Sequence, residues 1–301
     1  MLIDQDTAKN QLLALLAHLD GAYAPNTLRA YRADMMEFIH FCEVSDNSAL
    51  PASPATVASF LLRRTTQNIK TATIRRKVSS ISAIHRLSYL EDPTKHPEVK
   101  ITVRKISRQL GTRFEQAFPV TRAILDKLLA VCGNDLRGLR NRALLLLAYD
   151  SMCRRSELVS LRVEEMEWLS DAGVSILLRK SKTDQHGSGK WIHLSGEATN
   201  AVEDWLQAAG IQDSFILRGI FPNGNISKSL CDSRLSRIYK SLAKRAGLSE
   251  RVVQGISGHS MRVGGAQDLL IQGATLPQIM VKGGWAKTDT VMRYVERVRT
   301  L

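Results

Sequence analysis

Apolar side chains recur every three or four positions through most of residues 1–110. Leu28, Tyr31, Met35 and Phe38 form one such stripe, which predicts a helix capped by Asn26-Thr27 and running to about Val44. Ser53-Pro54 opens the next helix, because proline at a first turn gives up only an amide that the helix start leaves unbonded; Val57, Phe60 and Leu61 then face inward. A third helix is predicted over about 71–90, where Ile74, Val78, Ile81, Ile84 and Leu87 share a face. Gly111-Thr112 and Phe118-Pro119 break the periodicity and mark a linker at about 110–119. The expected division is a small all-helical domain, 1–112, and a larger domain, 119–301.

In the larger domain the pattern predicts helices at about 121–132 and 136–152; the run LLLLAY at 144–149 is far too short to span a bilayer and reads as a buried helix. Ser156 and Glu157 suit a helix start, with Leu158, Leu161 and Val163 as its apolar face. Between Gly173 and Leu194 the period shortens. VSILL and WIHL, separated by KSKTDQHGSGK, predict a β-hairpin or small sheet with a long polar tip. Helices resume at about 196–209 and 229–247, and 287–299 is an amphipathic segment. The fold class is mainly α, with a small antiparallel sheet confined to the second domain.

Charge narrows the partner. A net charge of +13 and a pI near 9.8 call for a polyanion. From Asn47 to Leu90 there is no acidic residue, while Arg63, Arg64, Lys70, Arg75, Arg76, Lys77 and Arg86 all fall inside. Solvated helices mix charge signs, so a stretch of one sign this long is better explained by a phosphate backbone lying against it than by a merely solvated face. Lys100, Arg104, Lys105, Arg108 and Arg113 continue the bias. Cys42, Cys132, Cys153 and Cys231 are widely spaced, without a CxxC, and read as small core residues of a reduced protein rather than as zinc ligands. No phosphate-binding glycine loop and no acidic triad is present, so the sequence implies neither a nucleotide nor a metal cofactor. The N-terminus has no signal-peptide pattern, and the expected location is cytoplasmic, on the nucleoid, with no membrane partner.

Chemistry concentrates at 257–294, SGHSMRVGGAQDLLIQGATLPQIMVKGGWAKTDTVMRY. His259 and Arg262 are three apart where a helix would begin, so both reach one bound group. Trp285 follows a Gly-Gly pair and Tyr294 lies nine residues later. Each alone is more often packing than chemistry; in this order, together with MCRRSEL at 152–158, they resemble the catalytic boxes of the tyrosine recombinase (phage integrase) family. That family usually carries His or Lys where Trp285 stands, and a subset carries Trp.

The resemblance implies a two-domain DNA clamp, a helical core-binding domain and a catalytic domain, and an enzyme that breaks and rejoins DNA strands at specific sites. It places the first arginine at Arg154, with Arg155 as the alternative, and the second at Arg262. Glu157 would orient an arginine. Lys182, with Lys180 and Lys190 nearby, would protonate the leaving 5′ oxygen. His259 would assist proton transfer, Trp285 would bond a phosphate oxygen, and Tyr294 would be the nucleophile. The implied route runs through a 3′-phosphotyrosyl link and a Holliday junction, on double-stranded DNA carrying a dimer per site and a homotetramer in the synapse. The rival readings are a type IB topoisomerase-like strand transferase and a non-catalytic DNA-binding regulator. Only VERVRTL follows Tyr294, about 10 Å of helix, from which weak association between protomers is expected.

Overall fold

The computed structural model describes residues 5–67, 69–111, 116–169, 173–179, 189–296 and 298. The chain separates into two compact units, 1–115 and 116–301.

The first unit contains five helices among the described residues: α1 (Gln5–His18), α2 (Pro25–Val44), α3 (Pro54–Thr65), α4 (Thr71–Leu87) and α5 (Pro97–Leu110). Ser53 caps α3 as expected, its hydroxyl accepting from the Thr56 amide at 3.1 Å. The predicted cap of α2 is displaced. Pro25 takes the first turn, Ala24 precedes it, and Asn26 instead accepts from Arg29 Nη1 at 2.6 Å; a proline with fixed φ fits the first turn, so the start moves to it. Met35, Phe38, Phe60, Leu61, Ile74, Ile81 and Ile84 fill one core.

Lys77, expected to contact DNA, lies inside this core. It is 3% exposed, donates to Glu37 Oε2 at 2.6 Å and to Asp34 Oδ1 at 3.2 Å, and Ser80 bonds the second oxygen of Asp34 at 2.8 Å. A buried ammonium demands an opposite charge. The acid-free stretch is therefore balanced by carboxylates of α2, more than thirty residues upstream of Lys77 in the chain.

The second unit is built on α7 (Leu136–Ser151), whose Leu144, Leu145 and Leu147 are fully buried, packed along α9 (Gly196–Ala209). Asp135 caps α7 by accepting from the Gly138 amide at 2.9 Å. α6 (Arg122–Ala130) precedes α7, and the four-residue α8 (Arg155–Leu158) follows it. The sheet has three antiparallel strands in the order β1 (Met166–Trp168), β2 (Val174–Leu178), β3 (Lys190–His193), with Ile176 paired to Met166 on one side and Ile192 on the other. Its β2 and β3 are the predicted hairpin; the three-residue β1 is too short to show a period. Then come α10 (Leu235–Arg245), α11 (Glu250–Gly255), α12 (Ser260–Ile271), α13 (Leu276–Gly283) and α14 (Thr288–Val295). Met152, Ala266, Ile279, Trp285 and Val291 make a separate small core that joins α12, α13 and α14. Cys42, Cys132 and Cys153 are buried as expected, but Cys231 is exposed, its thiol 3.0 Å from the Ser233 hydroxyl. It precedes a short 3-10 turn rather than entering the core.

Candidate active site

The described candidate residues of the second unit gather around the end of α7. α7 stops at Ser151 because Met152 takes a left-handed conformation (φ +49°, ψ +27°), which reverses the chain into α8. This reversal places Arg154 at the start of α8. Glu157, one turn on, accepts from the Arg154 amide at 2.8 Å through one oxygen and from Arg154 Nη1 at 2.6 Å through the other. With both its oxygens engaged by Arg154 and only 6% of its surface exposed, Glu157 fixes the guanidinium's direction. Arg155 behaves differently: its side chain lies across Gly258, where even a Cβ would come within 2.0 Å of Arg155 Cδ.

Arg262 enters from the first turn of α12. It is 3% exposed, donates through Nη1 to the Met152 carbonyl, and has a buried Nη2 with no partner among the described residues. Burial, then the neighbouring Arg154, lowers its pKa to about 10, which leaves it charged at neutral pH. One face of the guanidinium is covered by Trp285, 4.1 Å from its ring centre, and the Trp285 and Tyr294 rings lie 5.5 Å apart. Tyr294 is half-buried on α14, with its carbonyl held by Gln267 Nε2 at 2.8 Å. His259 precedes α12 and is exposed at its surface; partial desolvation of the imidazole, then the charges of Arg155, Arg262 and Arg154, lower its pKa. An uncharged ring beside three arginines is a proton acceptor.

A cavity of about 140 Å³ opens beside this group, lined by Met152, Cys153, Arg154, Glu157, Lys190, Gly283 and Gly284. Lys190, an alternative to Lys182 on the sequence alone, stands in the cavity wall. Lys182 itself lies outside the described residues. Cys153 also lines the cavity, and burial raises its thiol to about 11, so it is protonated.

In the first unit, Arg63, Lys70, Arg75 and Arg86 are exposed. Arg63 lies 5.8 Å from the Phe41 ring centre and Arg86 Nε donates to the Ser82 carbonyl at 3.4 Å. Arg64 is paired with Glu37, and Arg76 lies 3.0 Å from Asp34.

Comparison with known proteins identifies the family. The family model described as "Phage integrase family" matches residues 120–299, and "Phage integrase, N-terminal SAM-like domain" matches 12–92. The chain is 25% identical over 296 residues to the recombinase Cre of Escherichia phage P1, covering 92% of this chain and 85% of that protein. It is 30% identical over 301 residues to an integrase/recombinase XerD homolog of Selenomonas ruminantium, covering 96% and 87%. Among solved structures, the XerH site-specific recombinase bound to difH substrate in a pre-cleavage complex superposes with a TM-score of 0.69 at 16% identity, covering 96% of this chain and 82% of that one. A lambda integrase dimer bound to a COC′ core site gives 0.64 at 17% identity, covering 97% and 78%. The chain belongs to the phage integrase family. Within it the chain is a tyrosine-type site-specific DNA recombinase.

Proposed function

We propose that this recombinase binds duplex DNA and cleaves one strand of a specific site with Tyr294, through a 3′-phosphotyrosyl intermediate that leads to a Holliday junction within a tetrameric synapse. The observation that carries the reading is the Nη2 of Arg262, buried and without a partner among the described residues, on a guanidinium that stacks on Trp285, whose ring meets Tyr294, while Arg154 lines the cleft that opens beside them. A buried charged donor is costly unless an anion meets it, and a scissile phosphate is the anion that a DNA-rejoining enzyme brings. The DNA complexes of XerH and lambda integrase support duplex DNA as that partner.

In this mechanism Arg154, aimed by Glu157, and Arg262, fixed by the Met152 carbonyl, hold the non-bridging oxygens as negative charge grows on them. The phenol oxygen of Tyr294 attacks phosphorus, and its proton passes to the uncharged ring of His259. The bond to the 5′ oxygen breaks, and Lys182 supplies the proton that makes it a free 5′ hydroxyl. Trp285 donates its indole N–H to a phosphate oxygen. The new tyrosyl ester conserves the energy of the broken bond, so a 5′ hydroxyl from another strand reverses the step without a nucleotide. The exposed Arg63, Lys70, Arg75 and Arg86 contact the phosphate backbone.

Incubating the protein with a nicked target duplex, from which the severed strand end diffuses away, tests the reading. A protein–DNA adduct stable on a denaturing gel is expected from the native chain and not from Tyr294→Phe. An adduct with Tyr294→Phe would refute the assignment.

A further inference from the structure

The last turn of α13 closes by a paired arrangement in which the Trp285 amide donates to the Met280 carbonyl at 3.0 Å and the Gly284 amide to the Val281 carbonyl at 3.2 Å. Gly284 makes this possible at φ +64°. The carbonyls of Lys282 and Gly284 receive no backbone donor among the described residues. Each meets a cation from the cavity wall instead. Lys190 Nζ donates to the Lys282 carbonyl at 2.5 Å, and Arg154 Nη2 makes a long contact of 3.5 Å to the Gly284 carbonyl. Cations at a helix C-terminus are favoured by the aligned peptide dipoles. Burial lowers the Lys190 pKa, as suits an ammonium drawn off the solvent onto a helix end.

We infer that Lys190 is a positioning residue, tying β3 to the end of α13 and so holding the Gly283-Gly284-Trp285 turn against the two arginines. The turn has little slack. Gly283 is pressed under the Trp285 ring, where a Cβ would stand 2.0 Å from Cζ3. The Trp285 ring in turn covers Arg262 and meets Tyr294. Releasing the carbonyl at Lys282 frees the turn to shift, and with it the indole that sets the spacing of guanidinium and phenol. Lys190 acts through the helix end and transfers no proton in this reaction.

The inference rests on the cleft being the scissile-phosphate site, and the experiment separates the two. Single-turnover cleavage of a nicked target by the full chain is measured with oxygen or sulfur at the bridging 5′ position, sulfur being a leaving group that needs no proton. K190M is expected to slow both substrates equally, by about 10- to 100-fold, as a misplaced catalytic group does, with DNA affinity within about twofold. K190R, which restores a donor to the Lys282 carbonyl, is expected to regain most of the rate. Where K190M loses its cooperative helical melt, K190L, which also lacks a donor, takes its place with the same expectation. Rescue by sulfur would make Lys190 the proton donor and overturn the inference, as would an unchanged rate or a K190R as slow as K190M. A covalent adduct formed by Tyr294→Phe would instead overturn the reading of the cleft.

Discussion

Arg262 stacks on Trp285 with its guanidinium carbon 4.1 Å from the ring centre, and this pairing explains how a nearly buried arginine is kept in one place while one of its nitrogens stays unbonded. The Met152 carbonyl fixes one edge and the indole fixes the face. Trp285→Phe keeps an aromatic face, whereas Trp285→Ala removes it. We expect Trp285→Phe to slow single-turnover cleavage by about tenfold and Trp285→Ala by about 100-fold or more, since cation–π support and placement are both lost. Equal rates for the two variants would show that the indole N–H, not the stacked face, is what matters.

Gly283→Ala is expected to impair chemistry without a contact to substrate. Its new Cβ would stand 2.0 Å from Trp285 Cζ3, and the ring must move. A displacement of about 1 Å costs on the order of 100-fold in rate. Stopped-flow cleavage and a filter-binding isotherm together check this: the rate falls and the affinity holds.

As the proposed proton acceptor, His259 is expected to make the reaction sensitive to acid. Its pKa lies below the ordinary value of about 6.5, so the ring is uncharged at neutral pH and cleavage falls as pH drops through that lowered value. His259→Asn should flatten this acid limb. Because the folded ring holds its proton less tightly than the unfolded one, the same group adds stability above about pH 6.5 that is lost as pH falls through the folded pKa. A urea titration series from pH 7.5 to 5 reads this second effect, and His259→Asn should show a smaller loss.

Lys77 and Arg75 separate stability from DNA affinity. Lys77→Met removes the buried ammonium from Asp34 and Glu37, which keep Arg76 and Arg64, and should cost about 2 kcal/mol in chemical unfolding, with the salt dependence of DNA binding unchanged. Arg75→Ala should leave unfolding within about 0.5 kcal/mol and reduce the salt slope by about one unit. A Lys77→Met protein of native stability but shallower salt slope would reverse the assignment.

Elements with long, regular apolar stripes were legible from the sequence: α3, α4, α7 and the β2–β3 hairpin follow from patterns that local physics enforces. β1 and α11 were not, because three and six residues carry too little periodicity. The start of α2 was misread by giving side-chain caps precedence over Pro25. Tyr294, Trp285, His259 and Arg262 stand out in the sequence by their order. The distinct settings of Arg154 and Arg155 do not, since neighbouring arginines differ only once Met152 has turned the chain. The burial of Lys77 was hidden for a related reason: its partners are 43 and 40 residues away, and charge counted along the chain cannot see charge across a core.

The contact between Asp34 and Lys77 also determines how α2 and α4 may slide. The apolar stripe of α4 repeats every three to four residues and would pack almost as well one turn higher or lower, a shift of about 5.4 Å. Such a shift would part Lys77 and Ser80 from the buried Asp34 carboxylate that both now bond. The pair, with Ser80 bonded to the same carboxylate, thus favours the present alignment over a shifted one. A chimera that transplants α4 for its exposed arginines must therefore carry the facing surface of α2 with it.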